Sequence, residues 1–387
     1  MSGFFIGTSI VVNTDSAFVH ESFSTVGAVG VGTTEMTPSD AAANDFFGFD
    51  VAVGSGKVVV GAPFNDDSGS SSGSAYIFDL DGNQLGIITA SDAAANDQFG
   101  TSVAVGCGKI VVGAPFNDDT YSNQGTAYMY DLDGTNEVKI TTSDAAANDF
   151  FGFNVAVGCG RIVVDEYIFD LDGNQLTKMS QSGSLAVGCG RIVIGNSLND
   201  DNGSDSGKAY IFDLNGNQLG IITAFDAAAN DRFGVSVAVG SGRIVVGAWG
   251  DNSFRGSAYI FDLDGNQLGK IVPGTVEGVD INFGQSVAVG SGKIVIGAEK
   301  SYYEFQYTET GKAYVYDLDG SNEIMIDPPN PANSIQFGNS VAVGCGKIVV
   351  GSDGDDTNGT NSGSAYIFDL PEDSNTYWER VLETYKY

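Results

Sequence analysis

Short apolar runs rich in Val and Ile alternate along the chain with clusters of Gly, Asn and Asp, and the runs repeat. The string [VL]-A-V-G-[SC]-G-[KR]-[IV]-V-[VI] occurs seven times, with its alanine at Ala52, Ala104, Ala156, Ala186, Ala238, Ala288 and Ala342. Each copy is followed by A-Y-[IVM]-[FY]-D-L or Y-I-F-D-L, ending at Leu80, Leu132, Leu171, Leu214, Leu263, Leu318 and Leu370. The unit at 47–97 reads as four strands, A to D: Asp50–Val53, Lys57–Ala62, Ser74–Leu80 and Gln84–Thr89. Ser55-Gly56 and Asp81-Gly82 are hairpin-turn dipeptides, so A–B and C–D form tight hairpins. Strand B is continuously apolar, as a strand buried on both faces must be. Four antiparallel strands at this period predict a propeller blade, and the absence of a 3.6-residue pattern inside the repeats excludes a helical solenoid.

The fold class expected is all-β: a seven-bladed β-propeller of four-stranded antiparallel blades. Residues 27–370 form the propeller, 1–26 an N-terminal extension or degenerate partial repeat, and 371–387 a C-terminal tail with a short helix over Tyr377–Tyr387. The last unit has strands A, B and C only, while Thr34–Asp40 aligns with Gly86–Asp92. The segment around Gly27–Thr37 is therefore expected to supply the missing outer strand and close the ring. Six or eight blades stay open, because Phe4–Phe23 reads as a partial unit and the shortened third unit could merge with its neighbour.

Pairing strands B and C with Gly61 opposite Ala75 puts Lys57 opposite Asp79. The same register predicts a cross-strand ladder of Lys109–Asp131, Arg161–Asp170, Arg191–Asp213, Arg243–Asp262, Lys293–Asp317 and Lys347–Asp369.

Charge narrows the partners. With 17 Lys plus Arg against 49 Asp plus Glu, the net charge is -32, which disfavours nucleic acid and anionic membranes. Neither a membrane span nor a secretory signal is expected, since Met1–Ala17 lacks a basic residue. Cys107, Cys159, Cys189 and Cys345 all occupy the G-[SC]-G turn slot and are expected to be free thiols. His20 is the only histidine and lies outside the repeats, which excludes His-based catalysis.

Phe-Gly before strand A (Phe47-Gly48, Phe99-Gly100, Phe151-Gly152, Phe233-Gly234, Phe283-Gly284, Phe337-Gly338) and Gly-Ala-Pro after strand B (Gly61-Ala62-Pro63, Gly113-Ala114-Pro115) resemble FG-GAP repeats, the blades of integrin α-subunit propellers and of many bacterial and marine-virus proteins. The near-identical copies resemble repeat proteins of marine bacteriophages. The resemblance implies a seven-bladed propeller with an adhesive or interaction role. The integrin-type D-x-D-x-D-G calcium loop is replaced here by the G-[SC]-G turn, so that calcium site does not carry over.

Strand order sends the B–C and D–A loops to one face of the disc. Acidic side chains gather there, and oxygen-rich loops suit Ca²⁺. The candidate ligands are Asp92, Asn96 and Asp97, with Asp144, Asn148, Asp149 and Asp226, Asn230, Asp231 in equivalent loops; the alternative is that these residues cap turns. The repeat breaks in two places. The third B–C loop shrinks to Asp165-Glu166, which predicts a notch. Elsewhere aromatics collect: Trp249, Phe254 and Arg255 in the fifth unit, and Tyr302, Tyr303, Phe305 and Tyr307 in the sixth. Clustered surface aromatics are typical anchors for a protein partner or a glycan. The expected function is therefore non-catalytic surface or receptor recognition, at a virion or extracellular location. A structural virion component and a glycan-active enzyme are the alternatives.

Overall fold

The computed structural model describes residues 32–274, 281–299, 301–303, 306–308, 310–331 and 336–370. Among these residues seven four-stranded antiparallel sheets form blades, each with its strands in the order A–B–C–D from the centre outwards. Blade 1 comprises Val51–Gly54, Lys57–Ala62, Ser74–Phe78 and Gln84–Ile88. The inner strands of successive blades touch one another in a closed ring. Blade 7 takes its outer strand, Thr34–Met36, from the start of the chain, with Thr34 opposite Ile367 and Met36 opposite Ala365. This meets the closure expectation where the chain is described. Residues 1–31, and with them the partial repeat and part of the closing segment, lie outside the described residues, as do Phe305 and the tail helix.

The shortened third unit is a full blade, with Arg161–Val164 joined to Tyr167–Phe169 by Asp165-Glu166. In each blade the apolar residues of strand B are buried on both sides, and Val, Ile and Tyr from adjacent blades form the core between them. The motif phenylalanine is part of this core. Phe47 is fully buried and meets Tyr76 and Phe78 edge-on, 5.3 and 5.9 Å between centroids. The motif glycines serve the blade-to-blade contact. A Cβ on Gly61 would collide with the carbonyl oxygen of Gly100, and Gly100 itself has φ +96°.

The predicted register holds, with Gly61 opposite Ala75. The ion-pair ladder holds in part. Lys109–Asp131, Lys293–Asp317 and Lys347–Asp369 close at 2.7, 2.6 and 2.6 Å. The three arginines do otherwise: Arg161, Arg191 and Arg243 donate through Nε to the carbonyls of Leu214, Leu263 and Leu318 in the next blade. The reason lies in the C–D turn. Where it reads D-L-[DN]-G-N-Q, the asparagine claims the aspartate: Asn217 donates to Asp213 from both its backbone and side-chain nitrogens. Those bonds hold the Asp213 carboxyl below its ordinary range. Lys57 lies close enough to Asp79 to act on it by charge, but Asn83 makes the direct bonds.

The A–B turns carry a second device. Ser55-Gly56 has φ of 50° and 75°, a left-handed pair suited to a two-residue hairpin. The small side chain also accepts a hydrogen bond from the next blade: Gly108 N–H donates to Ser55 Oγ at 3.4 Å, and Gly160 N–H to Cys107 Sγ at 3.5 Å. The four cysteines are free and exposed.

Candidate recognition face

The B–C and D–A loops are stitched together on one face. Phe99 N–H donates to Ser72 O and Asn96 N–H to Ser70 O, so this D–A loop lies against the B–C loop of the preceding blade, as do the equivalent loops at Asn148–Phe151 and Asn230–Phe233. Four sites on this face depart from strict repetition.

The first is the mouth of the central channel, a cavity of about 320 Å³ joined by a second of about 260 Å³. The slot two residues before each A-V-G alanine holds Asp50, Ser102, Asn154, Ser184, Ser236, Ser286 and Ser340. Ser102, Ser184, Ser236 and Ser286 each donate to a glycine carbonyl of the next blade. Asp50 is the one acid in this ring. It accepts from Val103 N–H of blade 2 at 2.8 Å and from Ser340 Oγ of blade 7 at 3.0 Å. Burial among the blades nonetheless pushes its pKa up to about 6. Phe49 and Phe153 also line the mouth, and Phe153 is 51% exposed.

The second is the aromatic group of blade 5. Trp249 stacks on Phe254 at 5.4 Å, and the Arg232 guanidinium lies 5.4 Å from the Trp249 ring. Phe254 is 41% exposed and follows two residues, Asn252 and Ser253, in left-handed backbone geometry. Arg255 enters this turn through its carbonyl, which accepts from Phe283 N–H. In blade 6, Tyr302, Tyr303 and Tyr307 fall on a small hairpin, Ser301–Tyr303 with Gln306–Thr308, in which Tyr302 is opposite Tyr307. Sequence reading missed further aromatic pairs on this face, Phe46–Phe64 at 5.1 Å and Phe116–Phe150 at 5.4 Å. The Phe-Phe-Gly variants of the motif were their signal.

The acidic loops are internally engaged. Asp92 accepts from Tyr128 Oη at 2.7 Å and from Lys139 Nζ at 2.6 Å, while Asp97 accepts from Ala94 N–H and from the Asn117 amide. Burial opposes the ionised form of Asp92, but Lys139 and Tyr128 hold its pKa below the ordinary value. Asp226 accepts from Tyr259 and Lys270, and Asp231 from Ala228 N–H. Asn96, Asn148 and Asn230 take left-handed φ of 71°, 64° and 70° within their turns. Among the described residues no three His, Cys, Asp or Glu side chains gather so as to hold a metal ion.

The predicted notch is present in blade 3 as a polar cavity of about 140 Å³, where Asp144 accepts from Tyr167 Oη and Lys178 Nζ at 2.8 and 2.9 Å. Asp165 accepts from Gly152 N–H at 2.8 Å and Asn154 N–H at 3.0 Å. It thus takes over the role of the Gly113 carbonyl, which accepts from Gly100 N–H in blade 2. Burial raises the Asp165 pKa to about 6.

A family model described as FG-GAP repeat matches residues 32–78, 83–130, 135–187, 217–261 and 324–368, more than half of the 387 residues. The unmatched stretches include strands B and C of blade 4 and strands A to C of blade 6 with its hairpin. No curated protein matches the sequence. Among the described residues no helix is long and apolar enough to cross a membrane.

Proposed function

From its membership of the FG-GAP repeat family, to which this chain belongs, we propose that it is a non-catalytic recognition and adhesion propeller. It binds a protein or glycan on a cell or particle surface through the B–C/D–A face, and it works on a virus particle or outside the cell. One observation carries this reading: the departures from the repeat collect on that face. The opposite face presents the same [SC]-G turn in all seven blades and an Asp-Gly or Asn-Gly turn in blades 1 to 6. The loop face presents the Trp249–Phe254 stack, the Tyr302–Tyr307 hairpin, the Phe49 and Phe153 mouth and the notch. A recognition site needs side chains found at one place only, and aromatic anchors on rigid blades bind with little loss of conformational freedom.

The test is a glycan array and a cell-surface protein screen with the intact chain, followed by affinities for the strongest partner. Replacing Trp249 and Phe254, or Tyr302, Tyr303 and Tyr307, with Ala should weaken binding by about tenfold or more. Undiminished binding in both variants would overturn the aromatic assignment. Mass spectrometry of purified particles tests the location. Stoichiometric incorporation without any partner binding would favour a structural component instead.

A further inference from the structure

Among the described residues the trio of loop Asp, strand-C Tyr and strand-D Lys occurs three times, and blade 3 presents it differently. In blade 2, Lys139 bonds Asp92 and also Asp119 of the B–C loop, at 2.6 and 3.1 Å. In blade 5, Lys270 bonds Asp226 and also Asp251 of the B–C loop, at 2.7 and 2.6 Å. In blade 3 that loop is only Asp165-Glu166: Lys178 donates to Asp144 and to the Tyr167 hydroxyl, at 2.9 and 2.5 Å, and the only B–C carboxylate near it is Glu166 at 3.8 Å. The Lys178 side chain is 45% exposed, against 27% for Lys139 and 19% for Lys270.

The second carboxylate of the D–A loop changes in the same way. Asp97 in blade 2 accepts from its own turn and from the amide of Asn117, which the B–C loop supplies, and it is 3% exposed. Asp149 keeps the turn bond from Ala146 N–H at 2.7 Å, but the shortened loop contains no asparagine and Asp149 is exposed. Loss of the loop has therefore uncovered one donor, Lys178, and one acceptor, Asp149. Both line the same 140 Å³ cavity, beside Tyr167 and Glu166.

We propose that this notch is a binding site for a neutral sugar residue. A ligand that fits must return what the loop took away: an oxygen that accepts from Lys178 and a hydroxyl that donates to Asp149. Neighbouring hydroxyls of one sugar ring do both without adding charge, whereas an anion would face Asp144, Asp149 and Glu166, and a cation could meet Asp149 but has no oxygen to accept from Lys178. The cavity is also larger than a single water requires. The site rests on the recognition role proposed above and supplies that role with a ligand class.

Saturation-transfer NMR with galactose, glucose, mannose and N-acetylglucosamine, using the intact chain, tests it. At least one sugar should receive saturation, and titration should show affinity falling about tenfold or more in Lys178→Met and in Asp149→Asn. The same changes at the blade 2 positions, Lys139→Met and Asp97→Asn, should leave it unchanged. Replacing Asp165-Glu166 with the Gly113–Ala127 segment of blade 2 should abolish binding while the propeller stays folded, because the graft restores the cap. The strands on either side match in register, Val164 opposite Tyr167 as Val112 is opposite Tyr128. The site is overturned if none of the four sugars receives saturation, or if Lys178→Met, Asp149→Asn and the graft all bind as the parent does. Loss of sugar binding in the aromatic variants alone also overturns it while leaving the recognition role standing. If a partner protein binds and no sugar does, the notch assignment fails and the wider role survives.

Discussion

Asp353 stands where blades 1 and 2 have the motif proline, at the start of the B–C loop of blade 7. It is 7% exposed, and its Oδ1 has no hydrogen-bond partner. Burial, with the neighbouring Glu299 charge, pushes its pKa up to about 7. At pH 8 the folded protein therefore holds an ill-solvated charge there. Asp353→Asn should raise stability at pH 8 by about 2 kcal/mol and change little at pH 5, where the native carboxyl is already protonated. Urea melts at the two pH values check this, and equal effects at both would refute it. Two glycines, one in the motif and one outside it, give a matched pair. Gly61→Ala drives a Cβ into the Gly100 carbonyl and should cost about 3 kcal/mol or more, whereas Gly86, on an outer strand with open space around it, should accept Ala at no cost. A Gly61→Ala protein as stable as Gly86→Ala would remove the close blade contact as the reason for the motif.

At the level of elements, the loops and turns decide how charges are shared. The propeller has few cations, and three of them sit on outer strands opposite a tyrosine, where each neutralises a loop aspartate. Their environments differ, so their removal should be graded. Lys270→Met leaves Asp251, 8% exposed, without its cation and should cost about 2–4 kcal/mol; Lys178→Met, at an open site, should cost under about 1 kcal/mol. Thermal melts of the two variants check the order, and added salt should shrink the smaller effect further. Because the loop carboxylates are engaged by Lys, Tyr and backbone N–H groups, EDTA or added Ca²⁺ should leave the melting temperature unchanged. A clear upward shift with Ca²⁺ would show that the ion displaces those bonds. The repeat period, the strands and the B–C register were legible in the sequence because each follows from side-chain alternation and turn dipeptides. The arginine contacts were not, since pairing register places Arg191 opposite Asp213 but cannot say that Asn217 captures that aspartate first. The notch was legible as a missing loop. What it uncovers was not, because that required seeing Lys139 capped in blade 2 and Lys178 uncapped in blade 3.

The whole ring depends on closure and on the balance of its carboxylates. Thr34–Met36 covers the edge of Ser364–Asp369, and Met36 is buried against Ile367 and its neighbours. Deleting residues 1–37 should expose that edge and produce a less stable protein that self-associates, as size-exclusion chromatography would report; a monomer of unchanged stability would show the strand to be dispensable. The pH profile tests the molecule as a unit. Asp50 and Asp165 are raised to about 6 and Asp353 to about 7. For these groups the folded state binds protons more tightly than the unfolded chain, so their contribution to stability is present at low pH. It is lost as pH rises from about 4 to 7. Asp131, Asp213 and Asp262 are shifted the other way by their turn and ladder partners, so the stability they add is lost only as pH falls below about 4. Repulsion within a chain of net charge -32 strengthens the upper arm. The unfolding free energy from urea melts should therefore peak near pH 4–5 and decline by a few kcal/mol towards pH 8, the midpoint moving with it. In the triple variant Asp50→Asn, Asp165→Asn, Asp353→Asn that decline should flatten. A native midpoint that instead rises between pH 5 and 8 would mean that these three carboxyls are well solvated or paired in the folded ring.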